Sequence, residues 1–426
     1  MIRMRHWLPD ISLLARSAST AAILFLRLCT QAAGLLLLVR ALGPSEYGTL
    51  AAATALAVVL GLLPSLGAGY VLLSRTATSD DACQDVWSYS WPLTTVIGLV
   101  MTPLFAWACN ALAAGDTVSA ALLLLLGGSE LVFTPITLVL SFIVQAKDRV
   151  ALSQIVQWAP LALKVVAAAA SFLVEPSNRL LAYICLQCAA SAIGTFVAWS
   201  VARRLALLHM RPRLARRSEI SAGSAYGFMH FVAANPSELD KIISLRALGA
   251  TDAGVYAASA RIMGAMVMPV TALLLSVQAK LFRHAATASA EARPLIRQVG
   301  GAAAIWGGLS CILLIATSHW MPLIFGQGFQ RSATFMPWLA LAAPMIALRV
   351  TAGTILVSHG HPLQRACFEI GGSAILCVCM FGFTRYGGLN GAAAALIVAE
   401  ASMAIVGWAM LLRRRKDVSP KGPARD

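Results

Sequence analysis

Charge is what this sequence has least of, acidic charge above all: only 12% of its 426 residues are charged, with 18 acidic side chains against 33 lysines and arginines. So sparse a charge cannot solvate the surface of a soluble chain. The 59% hydrophobic content and a mean hydropathy of +0.76 indicate an integral membrane protein. The nine cysteines are odd in number and most fall inside apolar segments, so no disulfide framework is implied. Cys185-Leu-Gln-Cys188 has redox or zinc spacing, but no second pair or histidine lies near it and packing explains it better. There is no phosphate-cradling loop, metal-ligand cluster or nucleophile elbow, which argues against an enzyme, a resident metal or an organic cofactor. Nucleic acid would require the net charge of +15 to be gathered on one water-exposed face, whereas the basic residues sit in short segments between apolar runs.

Those apolar runs are the dominant feature. With about 20 apolar residues per crossing, twelve spans are expected, at 17–39, 48–72, 87–108, 118–144, 151–174 and 180–202, then at 220–245, 254–279, 300–325, 333–357, 366–383 and 389–412. The N-terminal segment, with Arg3, Arg5, Trp7 and Arg16, resembles a signal-peptide n-region. The apolar run after it is too long and lacks a cleavage signature, so an interfacial lead-in is expected. Assigning connections alternately to the two faces puts most lysines and arginines on the side carrying both termini, which is then cytoplasmic. The outer connections are all short.

The expected lobes are 1–208 and 209–412, followed by a basic tail at 413–426. The linker from Arg203 to Glu219, with Arg211-Pro-Arg213 and Arg216-Arg217, serves topology and also suits anionic lipid headgroups.

A long-range repeat supports the two-lobe plan. Arg40-Ala-Leu-Gly-Pro-Ser-Glu-Tyr-Gly-Thr-Leu-Ala-Ala-Ala returns as Arg246-Ala-Leu-Gly-Ala-Thr-Asp-Ala-Gly-Val-Tyr-Ala-Ala-Ser, with half of the positions identical. Equivalent points are separated by an even number of spans, so the lobes are parallel repeats. Gly43 and Gly249 fit tight helix exits, and Ser45 or Thr251 followed by an acid fits the next helix start.

These segments resemble the Wzx-type polysaccharide flippases. The resemblance is carried by Leu38 to Gly48 with Leu66-Gly-Ala-Gly69, by Leu239 to Arg261, by Ile324-Phe-Gly-Gln-Gly-Phe329 and by Gly388-Leu-Asn-Gly-Ala-Ala-Ala394. It implies a transporter of the multidrug/oligosaccharidyl-lipid/polysaccharide superfamily, with twelve transmembrane helices in two six-helix lobes around a central cavity. Such proteins flip a polyprenyl-diphosphate-linked oligosaccharide from the cytoplasmic to the outer leaflet by alternating access, for O-antigen, capsule or exopolysaccharide. Related lipid II flippases carry two further helices. Membrane lipid, the lipid-linked glycan and other polysaccharide assembly proteins are the implied partners, in a bacterial inner membrane.

Ionisable residues at depth mark where a transporter works, because each costs about 2.5–3.5 kcal/mol to insert. Arg27, Lys164, Arg261 and Arg349 are expected to face the interior, and Arg27 shares a helical face with Thr20 and Gln31. Gln157 and Lys164 make a second stripe, and Tyr226, His230, Ser237 and Lys241 a third. Arg27, Gln31, Lys164, Arg261 and Arg349 are therefore the candidate substrate contacts, suited to a diphosphate. Glu130 and Glu400 are the candidates for ion or proton coupling, with H+ or Na+. The competing expectation is that the cations simply neutralise Glu130 and Glu400 in structural pairs; Arg349 shows no polar neighbour on its own face. Asp240 and Lys241 fit a structural role. Two other functions fit less well: a cation or drug antiporter of the same superfamily, disfavoured by sparse acids, and a membrane polymerase or ligase, disfavoured by the short outer loops.

Overall fold

The computed structural model describes residues 11–76, 82–113, 119–234, 238–286 and 292–417. The expected lead-in around Trp7, the tail beyond 417 and the side chains of Thr20, Tyr226, His230 and Ser237 lie outside the described residues. All regular structure among the described residues is helical. In chain order the α-helices are α1 (Ile11–Gly61), α2 (Ala68–Thr76), α3 (Ala82–Leu112), α4 (Ala120–Gly128), α5 (Thr134–Ala146), α6 (Val150–Ala170) and α7 (Arg179–Ala206). They continue as α8 (Arg217–Ala234), α9 (Leu239–Leu248), α10 (Ala250–Ala286), α11 (Ala292–Ala316), α12 (Met321–Phe325), α13 (Arg331–Ala340), α14 (Ala342–Ser358) and α15 (Pro362–Asp417).

Among the described residues, eight helices are long and apolar enough to cross a membrane, or nine if α13 and α14, bent by 42° at Leu341, form one span. The difference from twelve arises where expected spans are fused or broken. The α1 and α15 helices each run through a non-helical glycine, Gly43 and Gly388; α1 joins the expected first span to the first part of the second, and α15 contains the expected eleventh and twelfth. The expected second span breaks at a turn over 62–67, where Leu66 and Gly67 take positive φ, and the expected seventh is divided between α8 and α9.

The chain forms two compact units, Met1–Leu42 with Ala53–Phe231, and Gly43–Ala52 with Val232–Asp426. In the first, α5 packs against α2, α3, α6 and α7. The core there is built from Leu72, Val86, Trp87, Leu140, Ile143, Val144 and Ala198, with Trp87 stacked on Trp199. In the second, α14 packs against α10, α11 and α15, around Leu281, Ile355, Leu356, Phe368 and Met403.

Segment 43–52, most of the first copy of the repeat (40–53), lies within the second unit together with the second copy. The two copies have matching backbones. Gly43 has φ 70°, ψ 178° and Gly249 has φ 80°, ψ 167°, a region that only glycine enters without strain. Five residues on, the equivalent Gly48 and Gly254 bring the two chain segments into backbone contact. A Cβ at Gly48 would run into the Ala250 carbonyl oxygen and the Gly254 nitrogen, and one at Gly254 into the Pro44 carbonyl. Ala52, Leu245, Ala250 and Ala253 close a small apolar cluster beside the crossing.

The linker after α7 is tied down within the first unit. Gln84 holds His209 by both backbone groups, donating to its carbonyl at 3.2 Å and accepting from its N–H at 2.8 Å. Arg213 donates to both oxygens of Glu219 at 2.9 Å, to Asp85 at 2.9 Å, and stacks over Tyr89. Burial pushes the Glu219 carboxyl up, but the Arg213 fork, the Arg216 N–H at 2.8 Å and Arg75 outweigh it and bring its pKa down to about 2.

Two outcomes follow for stability. Gly254→Ala should cost about 1–3 kcal/mol, because the neighbour is backbone and cannot swing away, while Gly264→Ala, which meets open space, should be tolerated; thermal unfolding of the purified variants compares them. Because its folded pKa is depressed, Glu219 stabilises fully above the ordinary carboxylate range and loses that contribution as pH falls towards about 2. Glu219→Gln should therefore lower the unfolding temperature at neutral pH and remove that part of the acid response, measured by unfolding across an acid pH series.

Candidate functional site

In the first unit the acid at depth sits on a deformation of its helix. Between α4 and α5 the residues Ser129–Phe133 form one turn of π-helix, and the Thr134 N–H closes the wider ring onto the Ser129 carbonyl. The Thr134 hydroxyl donates to that same carbonyl at 3.2 Å and to Glu130 Oε2 at 3.2 Å. Such single π-turns recur at functional sites. Glu130 is buried, and its Oε1 accepts from Lys164 Nζ at 2.5 Å and from Gln187 Nε2 at 2.7 Å. Lys164 and Glu130 are thus a one-to-one ion pair, with the ammonium partly accessible and the carboxylate closed in.

Arg27 is placed differently. It is half-buried on α1, and its Nη1 donates to Gln154 Oε1 at 2.8 Å and Gln157 Oε1 at 3.2 Å. Gln157 in turn donates to Ser141 at 3.0 Å, which fixes its carboxamide with the oxygen towards the guanidinium. One turn along α1, the Trp158 indole donates to Thr30 at 2.9 Å. Gln31 is exposed. Among the described residues no carboxylate lies within ion-pair distance of Arg27, so its charge is oriented but not neutralised.

In the second unit the candidate cations meet acids. Arg349 is buried on α14, donates from Nε to Glu400 at 2.5 Å, and lies 3.6 Å from Glu369, which is itself paired with Arg365 at 3.0 Å. This is a lattice of two arginines and two glutamates, and the polar neighbours that the Arg349 helix face lacks come from α15. Arg261, half-buried on α10, donates to the buried Tyr47 hydroxyl and lies in the field of Glu238 and Asp240. Asp240 also holds Lys241 at 3.2 Å and accepts from Tyr256 at 3.1 Å, with Glu238 3.5 Å from Lys241. Two acids again face two cations.

The candidates therefore separate within each unit. Lys164 meets Glu130 and Arg349 meets Glu400; Arg261 shares the Glu238–Asp240 cluster, and Arg27 stands with carboxamides only. Sequence reasoning missed Gln154, Gln187, Tyr47 and Arg365. Gln154 was legible, lying three residues before Gln157 on one helical face, and Arg365 lies four before Glu369. Gln187 and Tyr47 carry no such signal, since only folding brings them to their partners. Among the described residues no group of three or more histidine, cysteine, aspartate or glutamate side chains could hold a metal, and Cys185 and Cys188 are free thiols.

The fold matches solved transporters. The chain is similar to an inward-facing multidrug resistance MATE family transporter of the MOP superfamily, with a TM-score of 0.78, 14% identity, and coverage of 92% of this chain and 96% of that one. It is similar to the lipid II flippase MurJ in an inward closed conformation, at TM-score 0.72 and 12% identity, covering 92% and 87%. It is also similar to an outward-facing multidrug resistance MATE family transporter of the same superfamily, at TM-score 0.65 and 14% identity, covering 95% and 97%. No curated protein matches the sequence. Residues 18–282, more than half of the chain, match the family described as "Polysaccharide biosynthesis protein". A multi-pass helical protein of the MATE and MurJ fold, as the Wzx-like segments imply, the chain belongs to the polysaccharide biosynthesis protein family.

Proposed function

We propose that the protein flips a polyprenyl-diphosphate-linked oligosaccharide from the cytoplasmic to the outer leaflet, by alternating access of two six-helix lobes. The observation that carries the substrate class is Arg27. A guanidinium held at membrane depth by two carboxamides, with no carboxylate beside it among the described residues, keeps its charge available for an anionic group. Its remaining donors suit the fork geometry of a diphosphate. Arg261 is the proposed second contact, its head oriented by Tyr47. Gln31, exposed one turn beyond Arg27, suits the sugars.

Lys164 and Arg349 are assigned more narrowly. Each already satisfies a buried carboxylate, so substrate contact would require the pair to open. Coupling to H+ or Na+ would run through Glu130, whose π-turn, two nitrogen donors and partly accessible lysine make it easier to reach than Glu400. A cationic drug would need an uncommitted carboxylate at depth, and Glu130, Glu369 and Glu400 are all paired.

The test begins with deletion of the gene in its host and identification by mass spectrometry of the lipid-linked glycan that accumulates. Arg27→Ala should insert normally yet fail to relieve the accumulation, with a loss of about 10–100-fold for one charged hydrogen-bond set; Arg27→Lys should recover part. Full export by Arg27→Ala would overturn the site assignment. Lys164→Met should destabilise the protein by about 3–5 kcal/mol by leaving Glu130 buried and unpaired, and Lys164→Met with Glu130→Met should restore stability. Unfolding of the purified single and double variants measures this, and export by the stable double variant shows whether the pair is needed for transport.

A further inference from the structure

The linker between α7 and α8 carries a surface that neither the fold nor the transport reaction uses. The α7 helix ends with Leu207 in the left-handed conformation, at φ 50°, and the ten residues 207–216 form no helix. They are nevertheless held in one place. Leu208 is buried in the core of the first unit, the His209 backbone is bound by Gln84, and the Arg213 N–H donates to the Ser88 carbonyl at 2.9 Å. The apolar side chains not held this way project outward: Leu214 is 92% exposed, Leu207 76% and Met210 56%. Arg203, Arg204, Arg211, Arg216 and Arg217 are exposed around them.

We propose that this linker is a docking surface for the anionic phospholipid leaflet beside α7. Irregular backbone is not tolerated in the hydrocarbon core, so a non-helical segment that follows directly from an apolar spanning helix lies at the headgroup level. There, three protruding apolar side chains reach the acyl boundary while guanidinium groups stay at the phosphates. The local acids do not oppose this. Glu219 is buried and Asp85 is held by Arg75 and Arg213, so the outward charge is carried by the five exposed arginines. The apolar residues project singly, with arginines between Met210 and Leu214 and on both flanks, which fits a fluid lipid surface. Because the linker joins α7 to α8 within the first unit, lipid captured here holds the start of α8 at the membrane surface.

The full-length protein in nanodiscs tests this by limited trypsin digestion, following cleavage after Arg216 and Arg217 by mass spectrometry. Cleavage should be about tenfold slower in phosphatidylglycerol-containing discs than in phosphatidylcholine discs, as electrostatic capture at an anionic surface requires. The triple variant Leu207→Ser, Met210→Ser, Leu214→Ser keeps both cleavage sites and should lose most of that protection, with its unfolding temperature in detergent serving as the folding control. Equal rates in the two lipids for the parent protein would overturn the proposal, as would undiminished protection in the triple variant.

Discussion

An ionised side chain in the membrane interior has to find a counter-charge or water, since leaving it unmatched costs several kcal/mol. The arrangement of both units follows from how this requirement is met. In the second, Arg349, Arg365, Glu369 and Glu400 form a lattice in which each sign occurs twice, and its members come from α14 and α15. In the first, Glu130 and Lys164 join the π-turn to α6, and Gln187 adds α7 to the same oxygen. These groups join helices whose other contacts are largely apolar, with a few hydrogen bonds such as Thr137–Thr195 and Trp408 to the Leu348 carbonyl, so they help to set which faces of the helices meet. Removing one partner of such a pair leaves the other charge buried and unmatched, which is why each pair ties its helices together.

Among the described residues, Arg27 differs from these paired groups. Its two glutamines orient the guanidinium, but a carboxamide dipole cannot cancel a full charge. The imbalance is tolerable only where an anion or water can approach. Such an arrangement fits a protein of a polysaccharide biosynthesis family whose fold is shared with a lipid II flippase and multidrug transporters.

The duplicated Arg-Ala-Leu-Gly segment plays an architectural part. Its two glycine exits share one unusual backbone conformation, and its second pair of glycines places carbonyl against backbone at the crossing. Gly43–Ala52 consequently lies in the second unit while the helical residues on either side of it belong to the first. Nothing in the order of the residues announces this exchange, because it depends on which copy the first segment meets.

What the sequence determined by itself is what local chemistry dictates. Apolar runs, scarce acids and clustered cations require a helical membrane protein, and glycine at 43 and 249 requires special backbone at those two points. Even the list of costly buried charges could be read directly, because the desolvation of a charge does not depend on which neighbour it later meets. Their partners could not. Gln187 lies 57 residues from Glu130, Glu400 lies 51 from Arg349, and Gln154 lies 127 from Arg27. Such pairings are set by helix packing, as are the π-turn at Ser129–Phe133 and the fusion or breakage of expected spans at Gly43, Leu341 and Gly388. Tertiary structure alone decided which of the candidate cations meet a carboxylate among the described residues, because electrostatic pairing depends on distance through space and a single chain's order records only distance along it.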